Sequence, residues 1–426
     1  MNIAEEAPAI YQTRIPAGYE QTEIGVIPKD WEVRTLKEIA QFASGTTPRR
    51  EQNERYFQNG NIFWVKTMDL NNNEISDTSE KITDIALKET SSLKIFAIDT
   101  ILIAMYGGYN QIGRTGILKI NACVNQALTA IQPDKNVLKP LFLINYLNYR
   151  VGYWKDVATS SRKDPNITSK DVKDFPIPLP PVPEQTAIAT ALSDADALIT
   201  NLEKLIHKKR LIKQGAMQEL LTPKEGWEVK KLGEVCEIFG RIGFRGYTVN
   251  DIVGKEQGAI TISPSNLQDD KMDFTKCTYI SWFKYEESPE IKIFNGDILL
   301  VKTGSTSGKT AIIKNLKEKA TINPQIVVLK KVLIDNLFLS YIMSDQVVQN
   351  QIKTTIVGGA IPTLSQKQIA NFKIPVPPTK EEQAYIATIL SDMDLEISQL
   401  EAKLEKYKQI KAGMMQSLLT GKIRLI

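Results

Sequence analysis

Two stretches of this chain repeat apolar residues mainly in steps of four and three, the spacing that lays a stripe along one face of an α-helix. In the first the stripe is Ile188, Leu192, Ala195, Ile199, Leu202, Ile206, Ile212, Ala216 and Leu220. In the second it is Ile386, Leu390, Met393, Ile397, Leu400, Leu404, Tyr407, Ile410, Met414 and Leu418. Each stretch is entered through a proline-rich segment that cannot extend the helix backwards, and each closes on a Thr followed by Pro223 or Gly421. About 38 residues at 1.5 Å each make a rod of about 57 Å, too long for the core of an ordinary domain.

The two stretches are copies of one another. Glu184-Gln185 matches Glu382-Gln383, and Thr222 matches Thr420, at one constant offset of 198 residues with no insertion between. One copy is mid-chain and the other terminal, so both stripes are buried if the helices pair antiparallel as a coiled coil. The duplication begins before the helices, because Pro28-Lys29-Asp30-Trp31-Glu32-Val33 with Leu36 recurs as Pro223 to Val229 with Leu232. The chain therefore reads as two units, each a variable domain followed by a long helix.

Inside the variable domains the copies agree in short pieces only. Ile101-Leu102-Ile103 with Gly107 pairs with Ile298-Leu299-Leu300 and Gly304, Val124-Asn125-Gln126 with Ile322 to Gln325, and Asp174 to Pro178 with Asn371 to Pro375. Short apolar runs bounded by Gly, Asn and Pro predict strands, with one helical segment at Leu141 to Tyr153 and its partner at Leu337 to Gln351. Between these pieces the copies diverge completely. A shared scaffold with unlike loops implies one kind of task performed on two different ligands.

Composition narrows the task. With 426 residues, 42% of them hydrophobic and 24% charged, the chain has room for two ordinary cores. The acidic N-terminus shows no signal-peptide pattern, and the apolar run from Ile95 to Met105 is broken by Asp99 and too short to span a bilayer, so a cytoplasmic protein is expected. Cys123, Cys236 and Cys277 have no paired spacing, which argues against disulfides and a zinc site. The single histidine, His207, lies among lysines on a long helix, so most histidine-dependent catalysis is excluded. Net charge is only +4, so any nucleic-acid surface must be a local patch.

One string imitates a phosphate-binding loop. Gly304-Ser305-Thr306-Ser307-Gly308-Lys309-Thr310 lacks the first glycine, since Thr303 stands there, and it runs into Ala311-Ile312-Ile313, a strand pattern and not a helix start. Tyr106 to Ile117 occupies the same place in the first copy. Both are read as strand-loop-strand tips carrying amides, hydroxyls and a cation, chemistry that suits phosphates and base edges. The candidate DNA-contacting residues are Tyr106, Tyr109, Asn110, Gln111 and Arg114 in one tip and Lys302, Ser305, Thr306 and Lys309 in the other. Further clusters add Thr46, Thr47, Arg49 and Arg50; Ser161, Arg162 and Lys163; and Arg241, Arg245 and Tyr247. No dinucleotide turn, amino-methyltransferase string, complete phosphate loop or nuclease motif is present, which favours a binding subunit.

At these residues the chain resembles the specificity (S) subunits of type I restriction-modification systems. The resemblance is carried by Pro176 to Asp194 and Lys373 to Asp392, by Lys213 to Gly215 and Lys411 to Gly413, and by Leu418 to Arg424. The domain openings at Thr22 to Trp31 and Pro223 to Leu232 support it; the arm before Thr22 is a departure. It implies an α+β fold with an internal pseudo-two-fold repeat: two α/β target recognition domains separated by two long antiparallel coiled-coil helices. The expected divisions are an arm at 1–22, recognition domains at 23–178 and 223–375, and helices at 179–222 and 376–426. It further implies a noncatalytic reader of double-stranded DNA, each domain binding half of a split asymmetric site. The helices would space the domains and dock two modification (methyltransferase) subunits, with restriction (translocase and nuclease) subunits added. This subunit would hold no cofactor, and S-adenosylmethionine, ATP and Mg would belong to the partners.

Overall fold

The computed structural model describes residues 15–158, 166–268, 271–356 and 363–426. Both long helices form, the central one as Val182–Leu220 and the terminal one as Lys380–Leu418, each of 39 residues. The chain separates into two compact units, Met1–Glu203 with Lys403–Ile426 and Lys204–Ala402. The division falls at the middle of each helix, whereas the sequence pattern alone suggests a division at helix ends. Each unit owns half of one helix and the opposite half of the other.

Within each unit the two half-helices run antiparallel. In the first, Lys411 meets Asp196 at 2.5 Å and Lys408 meets Glu203 at 2.8 Å. In the second, Lys213 meets Asp394 at 2.6 Å and Lys209 meets Glu396 at 2.6 Å. Residue numbers rise along one partner as they fall along the other. The seam also differs from the expected stripe at one matched position. Ile212 and Ile410 are 46% and 44% exposed, and the alternation of four and three continues instead through Lys209 and Lys213, and through Tyr407 and Lys411. Lysines in an otherwise apolar seam are tolerated because each finds a carboxylate, Lys213 and Lys411 an aspartate and Lys209 a glutamate, and such polar pairs favour a single register over slipped alternatives.

In the first unit β1 (Tyr19–Thr22) and β2 (Gly25–Pro28) form an antiparallel hairpin, so Tyr19 to Thr22 are sheet, not loose arm. A sheet follows in which β3 (Ala40–Ser44), β6 (Leu128–Pro133), β4 (Ile101–Ala104) and β5 (Thr115–Leu118) lie in that spatial order, with a short strand Glu74–Ile75 at the edge. All of β4 and β5 is buried, β4 as a continuous apolar run and β5 with Thr115 and Gly116 ahead of Ile117 and Leu118. The expected single helix is broken into α1 (Pro140–Tyr149) and α2 (Val151–Val157) at Arg150, whose ψ of 22° leaves the helical region.

The second unit repeats the sheet order with β7 (Glu237–Gly240), β10 (Ile326–Lys330), β8 (Ile298–Val301) and β9 (Thr310–Ile312). Its helical segment is likewise two helices, α3 (Asn336–Ser344) and α4 (Gln346–Ile356), divided at Asp345.

Each domain delivers its chain into a long helix through a fixed joint. The opening strand pairs antiparallel with the closing one, Glu32–Thr35 with Pro176–Leu179 and Glu228–Lys231 with Lys373–Val376. The duplicated Glu-Gln then pins the helix start. Gln185, 1% exposed, accepts from the Lys139 amide at 2.9 Å and donates to the carbonyls of Val137 and Pro180, both at 2.9 Å. Gln383 accepts from the Asp335 amide at 2.9 Å and donates to the Pro377 carbonyl at 3.0 Å. The preceding glutamate receives an indole N–H in both units, Trp31 to Glu184 at 3.2 Å and Trp227 to Glu382 at 3.0 Å. Ile188 and Leu192 then enter the same core as Phe142, Trp154 and Phe175, which makes each domain and its helix one packed body.

Candidate nucleic-acid interface

In each unit three backbone segments cross at the end of the sheet and present a tip. In the first, the Met105 amide donates to the Ala127 carbonyl at 2.9 Å while the Met105 carbonyl accepts from Ile167 at 3.0 Å. In the second, Lys302 makes the equivalent bonds, to Gln325 and from Leu364, both at 2.8 Å. The repeated asparagine builds the middle segment: Asn125 Oδ1 accepts from the Ala127 amide at 3.2 Å and Asn323 Oδ1 from the Gln325 amide at 3.0 Å. An Asn closes such a turn because its side-chain carbonyl mimics a backbone acceptor two residues back.

The loops above these crossings are the expected strand-loop-strand tips. β4 and β5 pair antiparallel, as do β8 and β9, and Thr310–Ile312 is a strand, so the glycine-rich string in the second unit opens no helix. Gly113 and Gly308 sit at the same place with φ of +73° and +97°. A Cβ at Gly113 would lie 2.3 Å from the Trp154 ring, and one at Gly308 would lie 2.9 Å from Gln349 Oε1. Only glycine allows both the left-handed backbone and this close approach to the second helix of each pair.

The candidate side chains fall into two groups. In the first unit Tyr106 and Tyr109 are exposed, with the Tyr106 hydroxyl donating to the Gln126 carbonyl at 3.0 Å. Asn110 is exposed, and its carbonyl accepts from Arg114 Nε at 3.0 Å, which leaves the outer edge of that guanidinium clear of the loop. Gln111 Nε2 donates to Met68 Sδ at 3.1 Å. The Thr46 amide donates to the Val124 carbonyl at 2.9 Å, and the Thr47 hydroxyl bonds Gln126, which joins that segment to the tip. In the second unit Ser305 and Lys309 are exposed and Thr306 is partly so. Lys309 has no carboxylate partner among the described residues. Lys302 is half-buried, and burial holds its ammonium below the usual lysine range.

Three expected contacts have different placements. Arg50 is engaged by the protein itself although its side chain is 47% exposed: its guanidinium forks onto Glu80 at 2.5 and 3.0 Å and lies 4.2 Å over the Phe57 ring, and Arg49 beside it is exposed. The Arg50 guanidinium, aided by the Lys66 ammonium and against the opposing effect of partial burial, lowers the Glu80 pKa to about 2. Arg241, read from sequence as a cation offered to a ligand, is 4% exposed. It donates to the carbonyls of Ile322 and Arg245 and to the Thr321 hydroxyl at 3.2, 3.3 and 3.3 Å, and its guanidinium lies 5.5 Å from the Tyr247 ring. Arg245 lies 3.7 Å from Glu290. Ser161, Arg162 and Lys163 lie outside the described residues.

Residues not singled out by the sequence reading also occupy the tips. Gln126 and Gln325 are exposed on the asparagine turns, and the repeated Asn was the signal available for them. Met68 is 70% exposed against Gln111, and no sequence feature marks it.

Comparison with known proteins gives one consistent result. Residues 28–213 and 224–412 each match the family described as type I restriction modification DNA specificity domain. The chain is 25% identical to the MjaVIII specificity subunit of Methanocaldococcus jannaschii, over 94% of each chain. It is 27% identical to the putative MjaX specificity subunit of the same organism, over 96% of this chain and 97% of that one. Among solved structures, the S subunit from M. genitalium superposes with a TM-score of 0.57 at 16% identity, covering 91% of this chain and 96% of the other. A chain from a study of type I R-M complex assembly and conformational transition gives the same score, covering 93% and 99%. At such identity the superpositions speak for the fold alone.

Proposed function

The chain belongs to the type I restriction modification DNA specificity family, and from that premise we propose how its tips and helices divide the work. It is a noncatalytic DNA-recognition subunit. Each unit reads one half of a bipartite, asymmetric site in double-stranded DNA through its tip. The helices space the two readers and dock two modification subunits, to which restriction subunits are added. S-adenosylmethionine, ATP and Mg act in those partners, and the complex works in the cytoplasm.

The observation that supports this reading is the matched tip. Both units hold the same three-segment crossing, made by Met105 and Ala127 in one and Lys302 and Gln325 in the other, yet display unlike side chains above it. Main chain that repeats while side chains change is the arrangement expected of two modules with one kind of ligand and two sequences to read. Arg114, Lys309 and Lys302 supply cations for phosphates or guanine edges, and Asn110, Gln111 and Gln126 supply amides suited to adenine edges.

The test is real-time sequencing of genomic DNA from the strain that carries this gene and from one deleted for it. Loss of one methylated motif with two unlike halves is expected. Replacement of residues 25–173 by those of a relative should then change only one half. An unchanged methylome on deletion, or change of both halves together, overturns the reading. The purified chain alone should neither methylate nor cut DNA.

A further inference from the structure

The two units solve one problem at the tip by different means. The carbonyl that precedes the asparagine turn must be bonded as it leaves the sheet, at Val124 in one unit and at Ile322 in the other. In the first unit main chain does this, through the Thr46 amide at 2.9 Å. The backbone there lies directly on the turn, since a Cβ at Gly45 would fall 2.1 Å from the Asn125 carbonyl. In the second unit Gly240 pairs with Val327 as Ser44 pairs with Thr129, so Arg241 stands where the first unit has Gly45, and a residue that carries a Cβ cannot lie as close to the turn. The chain stands further off, and a side chain fills the gap. Arg241 Nε bonds the Ile322 carbonyl at 3.2 Å.

The same guanidinium ties in two more pieces. Nη1 holds the Arg245 carbonyl at 3.3 Å, and Nη2 holds the Thr321 hydroxyl, which itself donates to the Ile291 carbonyl at 3.2 Å. No carboxylate lies within ion-pair distance of Arg241 among the described residues. Glu287 and Glu290 act on it only through longer-range attraction, and burial pushes its pKa down. A buried cation without a counter-ion is costly, and an arginine here is tolerated because its planar fork meets three acceptors at once. Its bonds fix residues 242–247, the segment that carries Arg245 and Tyr247, relative to the turn that carries Asn323 and Gln325.

We propose that Arg241 is a positioning residue for DNA reading by the second unit: it touches no DNA and sets the reading loop of residues 242–247 against the Asn323 turn. This rests on the assignment of that tip as a DNA reader. The consequence is an asymmetry between the half-sites. Discrimination at the half read by the second unit hangs on one side chain, whereas in the first unit main chain makes the bond and no side chain carries it.

The experiment uses the methyltransferase assembled from this subunit and its modification partner. It measures methylation against duplexes with single changes in either half-site, and binding against salt concentration, for the wild type, Arg241→Lys and Arg241→Met. The expected result is relaxed discrimination in one half only, for both variants, with the other half and the salt slope unchanged. A phosphate contact behaves oppositely: Lys would restore it, and Met would weaken all sequences alike and lower the salt slope by about one. Wild-type discrimination in Arg241→Lys, or the uniform loss with reduced slope in Arg241→Met, overturns the proposal. Arg241→Lys decides alone if Arg241→Met does not assemble. A wild-type complex without sequence-dependent methylation instead overturns the reading of the tip, and the proposal with it.

Discussion

The first unit secures its long helix more heavily than the second. Glu184 is 3% exposed and receives Trp31 and Arg424, the latter through Nε at 2.7 Å and Nη2 at 2.8 Å, and the same guanidinium forks onto Asp30 at 2.8 and 2.7 Å. Glu382, its duplicate, is less buried and takes Trp227 without an arginine. The difference follows from chain connectivity. In the second unit the end of the central helix runs on covalently into its domain through Pro223 to Trp227, whereas in the first unit the residues after Leu418 meet a domain that lies far away along the chain. Those residues are held by contacts: the Tyr19 hydroxyl bonds the Gly421 carbonyl at 2.8 Å, and Arg424 reaches both Glu184 and Asp30. A noncovalent junction in one unit takes the place of a peptide connection in the other.

Removing that junction should have the largest effect. Arg424→Ala leaves a buried carboxylate without its partner and should destabilise the first unit by about 3 kcal/mol, while the second unit, which never had the arginine, is unmoved. Hydrogen exchange followed by fragment should show loss of protection at Trp31 and around Glu184 only; equal loss in both units would dissolve the asymmetry.

The glutamines sharpen the same comparison. Gln185 makes three buried bonds and Gln383 two, and at about 1 kcal/mol net per bond Gln185→Ala should cost about 3 kcal/mol and Gln383→Ala about 2. Denaturant midpoints of the two variants, at equal slope, measure the gap; a larger cost for Gln383→Ala would reverse it.

At the tips the contrast lies in chemistry. The first unit offers tyrosines and amides around Arg114, the second hydroxyls around Lys309, so Lys309→Ala should lower the salt slope of DNA binding by about one and weaken all sequences alike. Arg114 is oriented by the Asn110 carbonyl, and if it meets a base edge as proposed, Arg114→Ala should relax one position by about 1 to 3 kcal/mol. Titrations at several salt concentrations distinguish the two, and an unchanged isotherm for both variants would remove the loops from the interface.

The smallest effect is acid sensitivity in the first unit. Glu80 is held at a pKa of about 2 by Arg50, below its ordinary value of 4.5, so its folded-state pKa is depressed. Its contribution is fully present above pH 4.5 and is lost as pH falls towards 2. Thermal melts of Glu80→Gln should therefore match wild type at low pH and fall short of it near neutrality. A constant difference across that range would assign the effect to packing.

The sequence by itself determined the repeat, the length and pairing of the helices, the strand runs and the place of the tips. Each of these depends on periodicity or on duplication, and both are properties of residue order. Glu184-Gln185 and Glu382-Gln383 are legible as matched positions at one offset, whereas what they bond is not. Tertiary structure decided the rest. Ile212 and Lys213 are neighbours that differ by one step around the helix, and only the partner's aspartate shows that the lysine, not the isoleucine, lies in the seam. Arg49, Arg50, Arg241 and Arg245 are alike as letters, but Glu80 engages Arg50 at the surface and the carbonyls of Ile322 and Arg245 hold Arg241 inside. A cation's role is set by which acceptors the fold brings within about 3 Å of it, and Glu80 and Thr321 are 30 and 80 residues from the arginines they meet.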